Sequence, residues 1–331
     1  MLRLPLHYSI KLLIWRKSEE HLIQYFGSTR LWHCCFVIIM GTLGLGDVAL
    51  GESKQDIQNR QQSSSPVEEQ LSERIAEIDQ TNRDLKMIQK KVLEEIVASG
   101  VMPPADMRLI PAGSFFMGLD ETDLSGLKPA HRVYLDAYWI DQFPVTNEKY
   151  RACFDAGVCL PPANRPGGFL NRSEYYENPK FVKFPVNYVR HGHASAYCEW
   201  EGKRLPTEAE WEKAARGDDG RLYAWGDKIP EGFLETDPIG PVGSMPETAS
   251  PYGVMDMGGS IWEWVGDSYA GDYYENSPVV NPQGPDARMT KVKRGGDRFI
   301  LTPWAVIRSP EWTHDSNHNV GFRCAKDLTS P

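Results

Sequence analysis

Cysteine and histidine are the residues from which this chain could build a redox or metal centre. Cys34 and Cys35 sit inside an apolar run, whereas Cys153, Cys159, Cys198 and Cys324 are scattered over the body of the chain. An even number of cysteines in an exported chain reads as two disulfides, with three possible pairings that spacing does not choose between. Two histidine pairs stand out, His191-x-His193 and His314…His318. On a strand, His-x-His puts both rings on one face, and imidazole suits iron, copper or zinc. The plain alternative is that these are loop histidines bonded to backbone. The segment from Arg294 to Cys324, RGGDRFILTPWAVIRSPEWTHDSNHNVGFRC, concentrates the other reactive types. Asp297 and Arg308 are candidates for acid/base work. Arg298, Trp304 and Trp312 could form a recognition surface, with aromatic faces for contact area and guanidinium for a carboxylate or planar partner.

These side chains need a scaffold, and composition limits it. The 331 residues carry a net charge of −9 and show no basic cluster in the body of the chain, which argues against nucleic-acid binding. With 29 Gly and 24 Pro, the chain favours a loop-rich fold over a helical one. All but two of its ten Trp lie beyond residue 130.

The first 51 residues read as an export signal or anchor. Arg3, Lys11, Arg16, Lys17 and Arg30 form a basic flank, followed by the apolar run LWHCCFVIIMGTLGLG from Leu31 to Gly46. This core has the length of a signal-peptide h-region and is short for a bilayer span. Ala49 and Gly51 are placed for cleavage after Gly51, and an uncleaved anchor over 31–50 is the competing reading. Either way the basic flank stays in the cytoplasm and the remainder is exported, into the periplasm or another extracytoplasmic space.

Residues 52–66 are a polar linker. Over 67–100, Leu71, Ile78, Leu85 and Val92 recur every seven residues, with Ile75, Asn82, Gln89 and Ile96 four after each. That seam predicts a helix that either dimerises the chain as a coiled coil through 67–98 or lies on the following domain. From Met107 onward short strands broken by Gly and Pro alternate with helices at 147–156, 193–201 and 207–216. Thr207 and Glu210 form a capping box at the start of the last of these. The expectation is one α+β domain over 107–328, poor in regular structure.

Several stretches occur in a specific order: IPAGSFFMG, YWIDQFPVTNEKY, AYCEWEGKRLPTEAEWEKAARG, YAWGD, YGVMDMGGSIWEWVGDSY, KRGGD and NVGFRCAKD. On these, residues 107–328 resemble the formylglycine-generating enzyme (sulfatase-modifying factor) family. Its fold also occurs in ergothioneine-type sulfoxide synthases and pyoverdine-maturation proteins. The resemblance implies a C-type-lectin-like fold and pairs Cys198 with Cys324, leaving Cys153 with Cys159.

The resemblance also shows what is missing. The copper-dependent members carry two cysteines just after the Gly-Gly, where thiolate suits Cu(I). Here that tract is shorter and has none, with Ile300 and Ala305 near the thiol positions. Copper is therefore not expected, and neither is the three-histidine site of the sulfoxide synthases, whose extra helical domain has no counterpart here. A calcium ion is implied by YGVMDMGGSIWEW, through the carboxylates of Asp256 and Glu263 and the carbonyls of Gly259 and Ile261. Trp262 and Trp264 are expected in the core. The reading is a non-catalytic envelope protein that binds a protein, peptide or glycan outside the cytoplasmic membrane. A divergent oxidoreductase of the same superfamily is the alternative.

Overall fold

The computed structural model describes residues 104–163, 172–233, 239–296 and 305–328, together with Gln80, Met87 and Lys91. The chain divides into two units, 1–72 and 73–331, and all described residues belong to the second. The basic flank, the apolar run and the linker lie outside the described residues, as does most of the heptad segment. Gln80, Met87 and Lys91 are helical and exposed, and all three fall off the predicted seam. Among the described residues no helix is long and apolar enough to cross a membrane.

The domain starts with strands β1 (Met107–Ile110), β2 (Gly113–Met117), β3 (His131–Leu135) and β4 (Tyr138–Asp141). Helices α1 (Asn147–Asp155), α2 (Arg172–Tyr175), α3 (His191–Trp200) and α4 (Glu208–Arg216) follow. The chain then alternates β5 (Trp262–Ser268), α5 (Tyr273–Asn276), β6 (Thr290–Arg294), β7 (Arg308–Trp312), β8 (Val320–Phe322) and β9 (Ala325–Asp327). The strands form three small sheets, ordered β1-β4-β9, β2-β3 and β7-β6-β5-β8. Only β5 and β8 run parallel. This is the loop-rich α+β domain expected from composition.

Local sequence accounts for the helix starts. Thr146 caps α1 through the amide of Lys149. Thr207 and Glu210 close a reciprocal capping box on α4, which satisfies two otherwise orphaned amides. One expectation is corrected at α3. His191 and His193 open a helix rather than sharing a strand face, and side chains two apart on a helix diverge.

Two large apolar clusters, with two smaller ones, fill the described interior. One gathers Phe115, Val133, Ile140, Trp211, Val265 and Val292. The other gathers Tyr150, Tyr197, Trp262, Trp264, Phe322 and both disulfides. Cys198 bonds Cys324 with Cα atoms 5.6 Å apart, and Cys153 bonds Cys159 at 5.3 Å. The long bridge joins α3 to the β8–β9 connection, where Arg204 and Ala325 also exchange backbone hydrogen bonds.

The bridges differ in span, 126 against 6 residues. Chain-entropy cost then assigns about 5 kcal/mol to Cys198–Cys324 and about 2 kcal/mol to Cys153–Cys159. Urea unfolding of the two double Cys→Ser variants should reproduce that order.

Candidate functional site

The C-terminal tract is anchored by a buried ionic network. Glu208, at the start of α4, accepts Arg308 in a bidentate pair, Nε to Oε1 at 2.7 Å and Nη2 to Oε2 at 2.9 Å. Glu212, one turn later, accepts Arg216 through Oε1 and Arg294 through Oε2. Arg294 also reaches Glu208 and donates to the carbonyls of Ala305 and Val306. All five side chains are buried. Buried charges persist only when paired and hydrogen-bonded, and here both carboxylates meet two guanidiniums.

The structure places the catalytic candidate Arg308 inside this buried network. Its remaining nitrogen donates to the carbonyls of Gly126 and Ala270, and its guanidinium lies on the rings of Tyr269 and Tyr274. Asp297, Arg298 and Trp304 lie outside the described residues, as does Ile300. Ala305 is fully buried, with its amide bonded to Leu222.

Asp267 on β5 caps the same helix by accepting the Glu208 amide at 2.7 Å. Burial, reinforced by the neighbouring Glu208 carboxylate, pushes its carboxyl up to about 8. His191 shows the opposite shift, to about 4, because its ring is buried. It lies edge-on to Trp264, and its Nε2 is 2.9 Å from the Val265 carbonyl. His314 is exposed, and the His318 carbonyl accepts from Asn187. Among the described residues no three His, Cys, Asp or Glu side chains converge as a metal donor set.

The calcium candidates Asp256, Gly259 and Ile261 lie on the loop leading into β5, and Glu263 is the second residue of that strand. Asp256 adopts a left-handed conformation (φ 60°), as does Gly259 (φ 72°), so the loop reverses at both. Asp256 Oδ2 accepts the Gly243 amide at 2.7 Å. Glu263 is fully buried, and Arg323 and Trp211 donate to its carboxylate. A carboxylate offers about four lone-pair sites, so these three bonds leave acceptor capacity. Arg323 already balances the Glu263 charge. The donor set of hard oxygens fits calcium chemistry on these terms.

On the far face of the β7-β6-β5-β8 sheet, Lys293 Nζ sits 5.0 Å over the Trp262 ring and 2.8 Å from Glu311 Oε2. Asn317 donates to the same oxygen at 3.0 Å. Tyr188 stands beside this group, its amide bonded to the Asn317 carbonyl. It holds φ 56° and buries a hydroxyl with no partner. A bulky residue at positive φ is a genuine outlier. Trp262 and Trp264 are core residues as expected, and Trp312 is half-exposed near the exposed Met289.

Sequence reasoning missed Glu208, Glu212, Asp267, Lys293, Glu311 and Tyr188. Only Glu208, Glu212 and Arg216 carried a signal, an i, i+4 series following a capping residue. The others meet across β pairs and loops that the sequence does not display.

Three outcomes are expected. Arg308→Ala should cost about 3–5 kcal/mol of stability by stranding buried charge, whereas a substrate-binding arginine would alter ligand affinity and leave unfolding unchanged. Asp267 keeps its proton in the folded state up to pH about 8, while the unfolded chain releases it near 3.8. Stability therefore falls as pH rises through that window, and Asp267→Asn should remove the slope in urea titrations. His191 works the other way. Its folded value lies below 6.5, so its contribution is lost as pH falls from 6.5 towards about 4.

Comparison with known proteins agrees with this architecture. The sulfatase-modifying factor enzyme 1-like domain matches residues 93–328. The formylglycine-generating enzyme of Streptomyces coelicolor is 31% identical over 281 residues, covering 67% of this chain and 90% of that protein. Serine/threonine-protein kinase pkn1 of Chlamydia pneumoniae is 34% identical over 250 residues, covering 67% of this chain but only 38% of its own. The structure of PvdO from Pseudomonas aeruginosa superposes with a TM-score of 0.55 at 26% identity, covering 67% of this chain and 94% of that one. With its motifs in order, its disulfides formed and its domain matched nearly end to end, the chain belongs to the sulfatase-modifying factor enzyme 1-like family.

Proposed function

We propose that this protein is an exported, non-catalytic member of its family, acting as a binding or assembly component of the cell envelope. The observation that carries this reading is the state of sulfur in the domain. All four cysteines of residues 107–328 are consumed in the Cys153–Cys159 and Cys198–Cys324 bridges. The domain therefore has no thiolate to offer Cu(I) or to react with oxygen. The basic flank and apolar run before residue 51 motivate export or anchoring, and the heptads of 67–98 motivate a homodimer. The partner would be a protein, peptide or glycan, with Trp312 and Met289 as exposed contact residues and Arg298 and Trp304 completing the surface.

Calcium belongs to the same reading as a structural ion. Asp256, Gly259, Ile261 and Glu263 would hold it, and it would supply charge neutralisation and loop rigidity rather than chemistry.

The alternative is a divergent oxidoreductase, favoured by the relatives named as formylglycine-generating enzymes. It would use an acid/base or metal site without thiolate ligands, built from Asp297, Arg308 and the histidine clusters.

Elemental analysis of the chain purified from an oxidising compartment separates the two. Stoichiometric calcium without copper or iron is expected. Calcium at roughly a hundredfold excess over Kd should add about 2.7 kcal/mol of stability. Asp256→Gly, which keeps the left-handed backbone and deletes the carboxylate, should abolish that gain. Stoichiometric copper, iron or zinc that disappears in His191→Ala or His318→Ala would overturn this reading in favour of a divergent metalloenzyme.

A further inference from the structure

The Lys293–Glu311–Asn317 group has the arrangement of a self-modifying site. Lys293 and Glu311 lie on adjacent strands, where Lys293 pairs with Ser309 and Lys291 with Glu311, so their side chains meet on the diagonal of one sheet face. Glu311 Oε2 accepts both the Lys293 ammonium at 2.8 Å and the Asn317 amide at 3.0 Å. One carboxylate oxygen thus holds a nucleophilic nitrogen and a leaving nitrogen together. The Lys293 and Glu311 side chains are only 12% and 14% exposed, and the Trp262 ring covers the lysine from beneath. Asn317 is held in place by its own backbone, whose carbonyl accepts the amides of Tyr188 and Val320.

We propose that Lys293 and Asn317 form an intramolecular isopeptide bond, with Glu311 as the proton shuttle. Glu311 takes a proton from the Lys293 ammonium, and the neutral Nζ adds to the Asn317 carboxamide carbon. Glu311 hands that proton to Nδ2, the carbon–Nδ2 bond breaks and ammonia leaves, and Glu311 takes the second Nζ proton, so that an Nζ–Cγ amide and a protonated Glu311 remain. The balance is one amine and one amide giving one amide and one ammonia, with no oxidant or cofactor. Fixed geometry supplies the acceleration, because both reacting groups are already ordered by strands and backbone bonds. The product would tie β6 to the loop whose Asn319 carbonyl accepts the Trp262 amide. That link would survive reducing conditions that open the two disulfides.

Intact-mass spectrometry of the full chain tests this directly. The expected mass is that of the oxidised sequence less one ammonia. A tryptic digest should contain a branched peptide joining the Lys293 and Asn317 segments, with no cleavage after Lys293. Lys293→Arg and Glu311→Gln should restore the missing ammonia. If either variant fails to fold, the wild-type digest decides alone. An unshifted wild-type mass, an ammonia loss mapping elsewhere, or a crosslink that persists in Glu311→Gln would overturn the proposal.

Discussion

The carboxylate of Glu208 is the point on which the C-terminal half of the domain depends. It stands at the first turn of α4, where a capping box has already set the helix start, and it receives Arg308 from a strand 100 residues later. Glu212 repeats the arrangement one turn on with Arg216 and Arg294. Because each guanidinium also donates to backbone carbonyls, the network holds loops as well as strands. Gly118, Gly126, Ala270, Ala305 and Val306 all bond to one of its members. A domain with so little regular structure has few ladders to satisfy its backbone, and buried charged side chains do that work here. The cost of desolvating them is recovered only while the set is complete.

The chain carries the fold of its family. Within it, the α4 carboxylates and the long disulfide position the described parts of the C-terminal tract. At the described end of that tract, where a thiol would be expected, Ala305 is fully buried with both backbone groups engaged. On one face of the β7-β6-β5-β8 sheet Lys293 and Glu311 meet beside Trp262, and Trp312 is exposed at the end of β7.

Tyr188 is the local price of that outward face. An unfavourable backbone and a hydroxyl buried without a partner persist only where surrounding structure over-determines them. The neighbours that do so are visible. Asn317 bonds the Tyr188 amide, and Asn187 bonds the His318 carbonyl. The loop carrying Asn317 is thereby fastened to the entry of α3 and, through Asn319, to Trp262.

The sequence by itself determined the fold class, the family and the absence of free thiols in the tract, because each is written in short contiguous motifs. The α4 helix is the clearest case, since its capping box and its Glu208, Glu212 and Arg216 series all lie within ten residues of Thr207. The disulfide pairing was legible only through the family resemblance, because spacing alone allows three pairings. Tertiary structure decided the rest. The pairing of Arg308 with Glu208 is visible only in the fold, and the two histidines of 191–193 shared a face only until helix α3 turned them apart. Lys293, Glu311 and Asn317 meet because strand register and a returning loop bring them to one sheet face. Register and loop return arise from long-range packing, which no local spacing records.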